Sequence, residues 1–375
     1  MQVLILDQFS DPGGAQQVLL ELLPSIARRG WKAMVGLPGR GELFDRIRGL
    51  GFDAEPLECG PFHSGSKSAA DWFRLLRQLP RQRRQIRELA EDTRADLVYV
   101  NGPRLLPGAA MAALRAPLLF HAHSYVLPGV SRELAGIALR RTRARVLGSC
   151  RFVADLWRSF VPSPRISVIY NGVAAAGSAR RRRRAEYVVG CVGRISQEKG
   201  QLEFVRVAAT IRRKLPNCRF VIYGAPLFDD SDALRYHEVV RAAAASLPIE
   251  FAGWTADIHA ALSGLDLLLV PSTAYEATPR VIMEAFADAV PVIAFPSGGI
   301  PELIDDNRTG FLARSAEEMA SLAIDLLTRD RERLEMVATN AGTEGRTRFS
   351  IERFHREVLD LMETVAGEPR GVSAT

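Results

Sequence analysis

DLLLVPSTAYEATPRVIMEA, residues 266–285, decides the fold. The apolar run 267–270 has the length of a strand buried on both faces, and the segment 266–272 is read as that strand. A loop of small and polar residues follows, and Thr278-Pro279 opens a helix predicted over 279–288. A strand, a loop and a helix in one run form the unit of a parallel α/β sheet, since parallel strands need a crossover and the helix supplies it. Thr278 reads as the N-cap, with Pro279 at the first helical position, where its missing N–H costs nothing. The amides of Arg280 and Val281 then lie at a helix N-terminus, a place suited to phosphate. Glu276 precedes that place and Glu284 follows it by one turn. A carboxylate is not attracted to phosphate, so both must serve another task, such as accepting hydrogen bonds from sugar hydroxyls. Helix grammar alone equally admits Thr278 as a plain cap and both glutamates as surface residues.

The same unit recurs on either side. YVVGCVGR (187–194), RFVIYG (219–224), IEFAGW (249–254) and PVIAFP (291–296) read as strands, with helices at 200–214, 231–246 and 255–263. Closing helices are predicted near 315–345 and 350–364. Upstream, VLILD (3–7), AMVGLP (33–38), ADLVYVN (95–101) and PLLFHAHS (117–124) alternate with helices ending at Gly30, over 41–50 and over 71–92. Pro24 predicts a kink and Pro80 an interruption. ISVIYNGV (166–173) restarts the pattern. The predicted organisation is a first domain over 1–165 and a second over 166–349. A helix at 350–366 packs back on the first domain, and 367–375 form a flexible tail. Residues 174–185, with Arg180–Arg184, read as an exposed loop. Both domains read as doubly wound parallel sheets, whose ligands bind at the carboxyl ends of the strands, here in a cleft between the two.

At 375 residues the chain is long for one core and ample for two. With 47% hydrophobic and 25% charged residues it has a globular rather than disordered balance. No apolar run reaches the roughly 18–20 residues of a membrane span. MQVLILD lacks a basic leader, so no signal peptide is expected. Cys59, Cys150, Cys191 and Cys218 show no metal-ligand spacing, and neither a zinc site nor a disulfide framework is expected. A reduced cytosolic enzyme is the default expectation. The net charge of +6 is uneven: residues 1–165 carry 24 Lys and Arg against 15 Asp and Glu, and residues 166–375 carry 25 against 28. The basic first half suits an anionic surface, or is a solvated arginine-rich face. Nucleic acid is disfavoured, since only 7% of residues are aromatic and none interleave the arginine clusters.

Three further segments carry chemistry. In CVGRISQEKG (191–200), Arg194 and Lys199 leave the loop after a strand, where two cations suit a diphosphate. A solvated loop with a Lys199–Glu198 or Lys199–Glu203 pair is the alternative. In DPGGAQQ (11–17), paired glycines between strand and helix allow close approach of a ligand, or simply make a tight turn. His121 and His123 end the fourth strand read in the first half. They sit at alternate positions and so on one face, with His123 nearer the strand's end.

Taken together, GGAQ, HAHS, VIYNGV, GRISQEKG, EATPRVIMEA and the run AVPVIAFPSGGIPELIDDNRTGFL (289–312) resemble the retaining, nucleotide-sugar-dependent glycosyltransferases of family four. The resemblance covers the chain to about residue 312 and is most specific in the second half. It implies the GT-B fold, two Rossmann-like domains facing a central cleft. It also implies that Arg194 and Lys199 bind the donor diphosphate and that the amides of Arg280 and Val281, beside Thr278, complete the phosphate site. Gly14 would approach that site from the first domain. Glu284 would hold the ribose and Glu276 the transferred sugar, while His123 stands at the acceptor-side wall. Such enzymes need no metal and no cofactor beyond the nucleotide-sugar donor, and they retain anomeric configuration by front-face attack.

Three features depart from the family pattern. Ala174 follows Asn-Gly-Val, residues 287–291 read Ala-Asp-Ala-Val-Pro, and Ala-Pro-Leu-Phe-Asp follows Gly224. The expected donor is a UDP-sugar, with a GDP-sugar open. The expected acceptor is a lipid-linked glycan or cell-envelope precursor, met at the inner face of the plasma membrane through the basic stretch Arg74, Arg77, Arg81, Arg83, Arg84 and Arg87. A glycosyltransferase acting on a soluble small-molecule acceptor, or a non-catalytic nucleotide-sugar-binding protein of the same fold, is the alternative.

Overall fold

The computed structural model describes residues 1–60, 69–174, 186–226 and 231–368, with side chains from 73 and 77 onward in the helix that begins at 69. The arginine run 180–184, the Arg74 side chain, residues 227–229 and the tail from 369 lie outside the described residues. The chain divides into two compact units, Met1–Tyr170 with His355 onward, and Asn171–Phe354.

The first unit alternates β1 (Gln2–Asp7), α1 (Gly14–Arg28), β2 (Lys32–Leu37), α2 (Glu42–Gly49), β3 (Asp53–Pro56), α3 (Ala69–Asp92) and β4 (Leu97–Asn101). It continues with α4 (Leu106–Met111), β5 (Leu118–Ala122), α5 (Val130–Arg141), β6 (Arg145–Gly148), α6 (Arg151–Ala154) and β7 (Ile166–Val168). All seven strands are parallel, in the order β3-β2-β1-β4-β5-β6-β7. Val3–Leu6 and Leu97–Val100 are buried at nearly every atom, as strands covered by helices on both faces must be. β7 pairs with β6, so the first unit runs to Tyr170 rather than to 165. Neither β3 nor β6 is apparent in the sequence, which makes PLLFHAHS the fifth strand, not the fourth.

α3 runs through Pro80 without a break, against the expected interruption, and α1 likewise continues through Pro24. A helical proline costs about 3 kcal/mol, so the packing of the flanking residues must outweigh it. In α3 Gln82 and Ile86 are fully buried, and the Gln78 amide bonds both the N–H and C=O of Gly60 at 3.1 and 3.0 Å.

The second unit reads β8 (Val188–Val192), α7 (Gln201–Lys214), β9 (Arg219–Tyr223), α8 (Ser231–Ala244), β10 (Ile249–Gly253), α9 (Ile258–Ser263), β11 (Leu267–Val270), α10 (Arg280–Ala287) and β12 (Val292–Ala294). α11 (Ile300–Leu303), β13 (Phe311–Leu312), α12 (Ala316–Thr328), α13 (Arg331–Arg346) and α14 (Ile351–Ala366) complete the chain. Its six parallel strands lie in the order β10-β9-β8-β11-β12-β13. Val189, Phe204, Phe220, Leu267, Ile293 and Phe311 anchor its core. The single helix expected over 315–345 is two, because the Asp330 carboxylate accepts from Arg333 N and starts α13 afresh. From His355 on, α14 belongs to the first unit. There Ser25 Oγ meets His355 Nδ1 at 2.8 Å, and Arg29 donates to Asp360 and Glu363 at 2.7 and 2.6 Å.

Each sheet reverses its winding once, between β1 and β4 in the first and between β8 and β11 in the second. Open parallel sheets bind ligands outside the carboxyl ends of the strands at such a switch point.

Candidate active site

In the second unit the switch point is formed by the loops after β8 and β11. Gly200 has φ +71°, and a Cβ there would lie 1.9 Å from Pro271 O, so the two loops meet backbone to backbone. Thr273 clasps them, its N–H donating to Glu198 O at 3.0 Å and its hydroxyl to Gln197 O at 3.1 Å. Lys199 Nζ consequently donates to Glu276 Oε1, which also accepts from Ser272 Oγ at 3.3 Å. Lys199 thus pairs with neither Glu198 nor Glu203: Arg194 takes Glu198, and Arg206 takes Glu203 at 2.6 Å. The Glu276 and Glu284 side chains are only 12% and 14% exposed, so neither is a surface glutamate.

Thr278 is not the N-cap. Pro279, with φ −62° and ψ 112°, is the extended residue at that place, and α10 begins at Arg280. The residue before a proline is driven from the helical region, which keeps Thr278 outside the helix. Its hydroxyl instead accepts from Asn171 Nδ2 at 3.1 Å. The amides of Arg280 and Val281 remain the first of the helix, while Ile282 N turns back to Pro279 O at 3.1 Å. One turn on, Glu284 accepts from Arg280 Nε at 3.4 Å. A pair of cations, a helix N-terminus and two carboxylates therefore line one sheet edge, a set that can hold an anionic, hydroxyl-bearing ligand.

In the first unit the switch point collects a different set. Gly14 opens α1, and the N-cap Gly13 supplies no side-chain acceptor. A Cβ on Gly14 would meet nothing within 4 Å, so the fold itself does not require glycine there. The register of β1, β4 and β5 aligns Asp7, Asn101 and His121, each at most 1% exposed. Asp7 accepts from Gln16 Nε2 at 2.8 Å, from Phe9 N at 3.0 Å and from Asn101 Nδ2. Burial nevertheless pushes its carboxyl up to about 6. His123 lies just past β5, its Nε2 2.6 Å from Asn101 Oδ1, with its ring 3.6 Å from that of His121. Burial lowers His123 to about 3 and His121 well below its ordinary value, so both are neutral imidazoles. The two histidines share one face but not one partner, since His121 Nδ1 meets the Tyr99 hydroxyl.

The profile of the glycosyl transferases of group 1 matches residues 186–329, and that of glycosyltransferase family 4 matches residues 12–176. The chain is a group 1, family 4 glycosyltransferase. It is 31% identical over 155 residues to the D-inositol 3-phosphate glycosyltransferase of Corynebacterium aurimucosum, over 40% of this chain but only 37% of that one. It is 29% identical over 273 residues to a GDP-mannose-dependent alpha-(1-6)-phosphatidylinositol monomannoside mannosyltransferase of Mycobacterium tuberculosis, covering 62% of this chain and 68% of that one. The crystal structure of Anabaena Alr3699/HepE with UDP-glucose superposes with a TM-score of 0.79 over 97% of this chain and 100% of that one, at 23% identity. The fold is thus of the GT-B type, two parallel-sheet α/β domains of seven and six strands.

Sequence reading missed several parts of this glycosyltransferase's two sheet edges. Asp7 and Asn101 are among them, although a polar residue ending an otherwise apolar strand at its carboxyl end is a readable signal. The sequence offers Glu198 only as a partner of Lys199, not of Arg194, and Ser272 was equally available beside the residue it touches. Gly298 was not. Its φ is +58°, a Cβ there would lie 2.0 Å from Glu276 O, and Gly299 N donates to that same carbonyl at 2.8 Å. The Ser297-Gly298-Gly299 turn, with Ser297 Oγ on Ala274 O, thus supports the Glu276 loop from behind. Among the described residues no cluster of three or more His, Cys, Asp or Glu could hold a metal ion. Nor is any helix among them long and apolar enough to cross a membrane.

Proposed function

We propose that this glycosyltransferase moves a sugar, with retention of configuration, from a nucleotide diphosphate sugar to an acceptor hydroxyl, without a metal. The carrying observation is the second sheet's switch point, where Lys199 is held on Glu276 beside Arg194 and the start of α10. Arg194 and Lys199 bind the diphosphate, and the amides of Arg280 and Val281 extend that cradle. Glu284 takes the ribose hydroxyls and Glu276 a hydroxyl of the sugar being moved. In the first unit, Gly14 leaves the start of α1 open to a phosphate and His123 presents a ring nitrogen to a hydroxyl. The acceptor oxygen bonds to the anomeric carbon on the face the diphosphate leaves, the C1–O bond to phosphate breaks, and a departing phosphate oxygen takes the acceptor's proton. The cations and the helix N-terminus stabilise the charge that develops on that leaving group.

A UDP-sugar is the favoured donor, supported by the UDP-glucose complex of the Anabaena relative. The mycobacterial relative's GDP-mannose keeps a GDP-sugar as the second choice. The favoured acceptor is a lipid-linked or cell-envelope glycan at an anionic membrane. α3 supports this with Phe73 at 68% exposure and Arg77, Arg81, Arg83, Arg84 and Arg87 all exposed. A melting screen against UDP, GDP, ADP and dTDP in EDTA tests the donor reading. A ligand at 100 Kd stabilises by about 2.7 kcal/mol. One nucleotide raising the melt without metal supports the reading, and a shift that requires added metal overturns its metal-free form. Equal sedimentation with neutral and anionic vesicles at low salt would remove the membrane.

A further inference from the structure

The polar row at the carboxyl edge of the first sheet has a direction built into it. An ionised carboxylate only accepts hydrogen bonds, and Asp7 is met by three N–H donors: Gln16 Nε2, the Phe9 amide and Asn101 Nδ2. With its NH2 turned to Asp7 and also towards Ala15 O at 3.4 Å, Asn101 must present Oδ1 to His123. An amide oxygen cannot donate, so His123 Nε2 carries the proton. In a neutral imidazole the other nitrogen, Nδ1, is then an acceptor. Among the described residues no hydrogen bond reaches that Nδ1.

We propose that Asp7 and Asn101 are positioning residues that fix the His123 proton on Nε2, leaving Nδ1 as a hydrogen-bond acceptor for a hydroxyl of the sugar or acceptor. This rests on the glycosyltransferase reading above, and it deepens it. His123 on this account orients a hydroxyl through a lone pair and does not supply a proton. Titratable neighbours on the adjoining strands are Tyr99 and His121, which meet each other rather than His123 Nε2. Asp7 makes no contact with His123 and acts only through Asn101.

The relay predicts that a substitution at a residue not touching His123 inverts its tautomer. In Asp7→Asn, the Gln16 and Phe9 donors hold the new amide by its oxygen, which turns the new NH2 towards Asn101. Two NH2 groups cannot face each other, so Asn101 rotates, presents its own NH2 to His123 Nε2, and drives the proton to Nδ1. The double substitution Asp7→Asn with Asn101→Asp lets the new NH2 at position 7 donate to the new carboxylate at position 101, keeps an acceptor at Nε2 and retains the native tautomer.

Long-range 1H–15N correlation spectra of the full-length protein labelled at histidine read the tautomer without any substrate. Nε2–H is expected in the wild type and in the double variant, and Nδ1–H in Asp7→Asn. With the donor found in the melting screen, Asp7→Asn should lower kcat on the order of 10²-fold through misplacement of the reacting groups. Its nucleotide-induced melting shift, which reports the second unit, should be unchanged, and the double variant should recover most of the rate. A proton on Nδ1 in the wild type, an unchanged tautomer in Asp7→Asn, or an inverted tautomer with unchanged kcat would each overturn the proposal. Absence of transfer by the wild type with every nucleotide sugar would sink the donor reading instead, while the spectra would still decide the relay.

Discussion

Lys199 Nζ sits on Glu276 Oε1 although 77 positions separate them in the chain. The pair is largely withdrawn from solvent, with side-chain exposures of 27% and 12%. A diphosphate that recruits Lys199 therefore draws it away from Glu276 and leaves that carboxylate to a sugar hydroxyl. Two mutants should then part company. Glu276→Ala should leave nucleotide affinity equal or tighter and reduce transfer by about 10² or more, as loss of a group acting at the reacting centre does. Glu284→Ala should weaken nucleotide binding by about tenfold, the scale of a hydrogen bond to a charged group. Calorimetric titration with the nucleotide, beside initial rates, separates them, and a loss of nucleotide affinity in Glu276→Ala would reverse the assigned roles.

Arg194 is likewise held by a carboxylate of its own loop, Glu198, four residues on. Glu198 is 41% exposed, so the pair is screened and worth under about 1 kcal/mol. Glu198→Gln should tighten nucleotide diphosphate binding by about two- to fivefold and leave nucleoside binding unchanged. Parallel titrations with a nucleoside and its diphosphate check this, and equal effects on both would show that Glu198 does not act through the phosphate charge.

Gly14 gives a prediction in which stability and activity move apart. Its backbone is helical and a Cβ there has open space, so Gly14→Ala should leave the melting temperature unchanged or raise stability by a few tenths of a kcal/mol, about the gain from removing glycine's backbone freedom. If a phosphate closes on this helix start, the methyl group stands in its way and transfer should fall at least tenfold. A variant as active as the wild type would mean that no ligand approaches there.

Much of this was legible in the sequence because it is local. β1, β4 and β11 announce themselves as apolar runs, and Thr278-Pro279 marks the start of α10 to within one residue. β3 escaped notice because Asp-Ala-Glu-Pro is an edge strand with only Ala54 buried, and β13 is two residues long. The Lys199–Glu276 pair was illegible for a different reason. It exists because β8 and β11 are neighbours in the sheet, and strand order is a property of the wound sheet rather than of any stretch of chain. Asp7, Asn101 and His121 likewise meet through register across β1, β4 and β5, which single-strand periodicity does not contain.

The same row sets a pH dependence whose sign can be worked out. His121 and His123 stay neutral in the fold, well below their ordinary 6.5, whereas the unfolded chain protonates them near that value. Below pH 6.5 the unfolded state therefore binds more protons, and each histidine removes about 1.4 kcal/mol of stability per pH unit. Asp7 works the other way. Its folded carboxyl takes up a proton near 6 and its unfolded one near 3.8, so between those values it returns stability with the same slope as the pH falls. Urea unfolding from pH 7.5 to 5 should show wild-type stability falling with a slope that steepens down to about pH 6 and then holds near that of one histidine, since Asp7 offsets the other. His123→Gln should be less pH-sensitive than the wild type throughout. Asp7→Asn should be more sensitive below pH 6, having lost the offsetting group. Differences taken against the wild type at each pH cancel the groups all three share, so parallel curves for the three proteins would mean that these side chains do not titrate as their burial dictates.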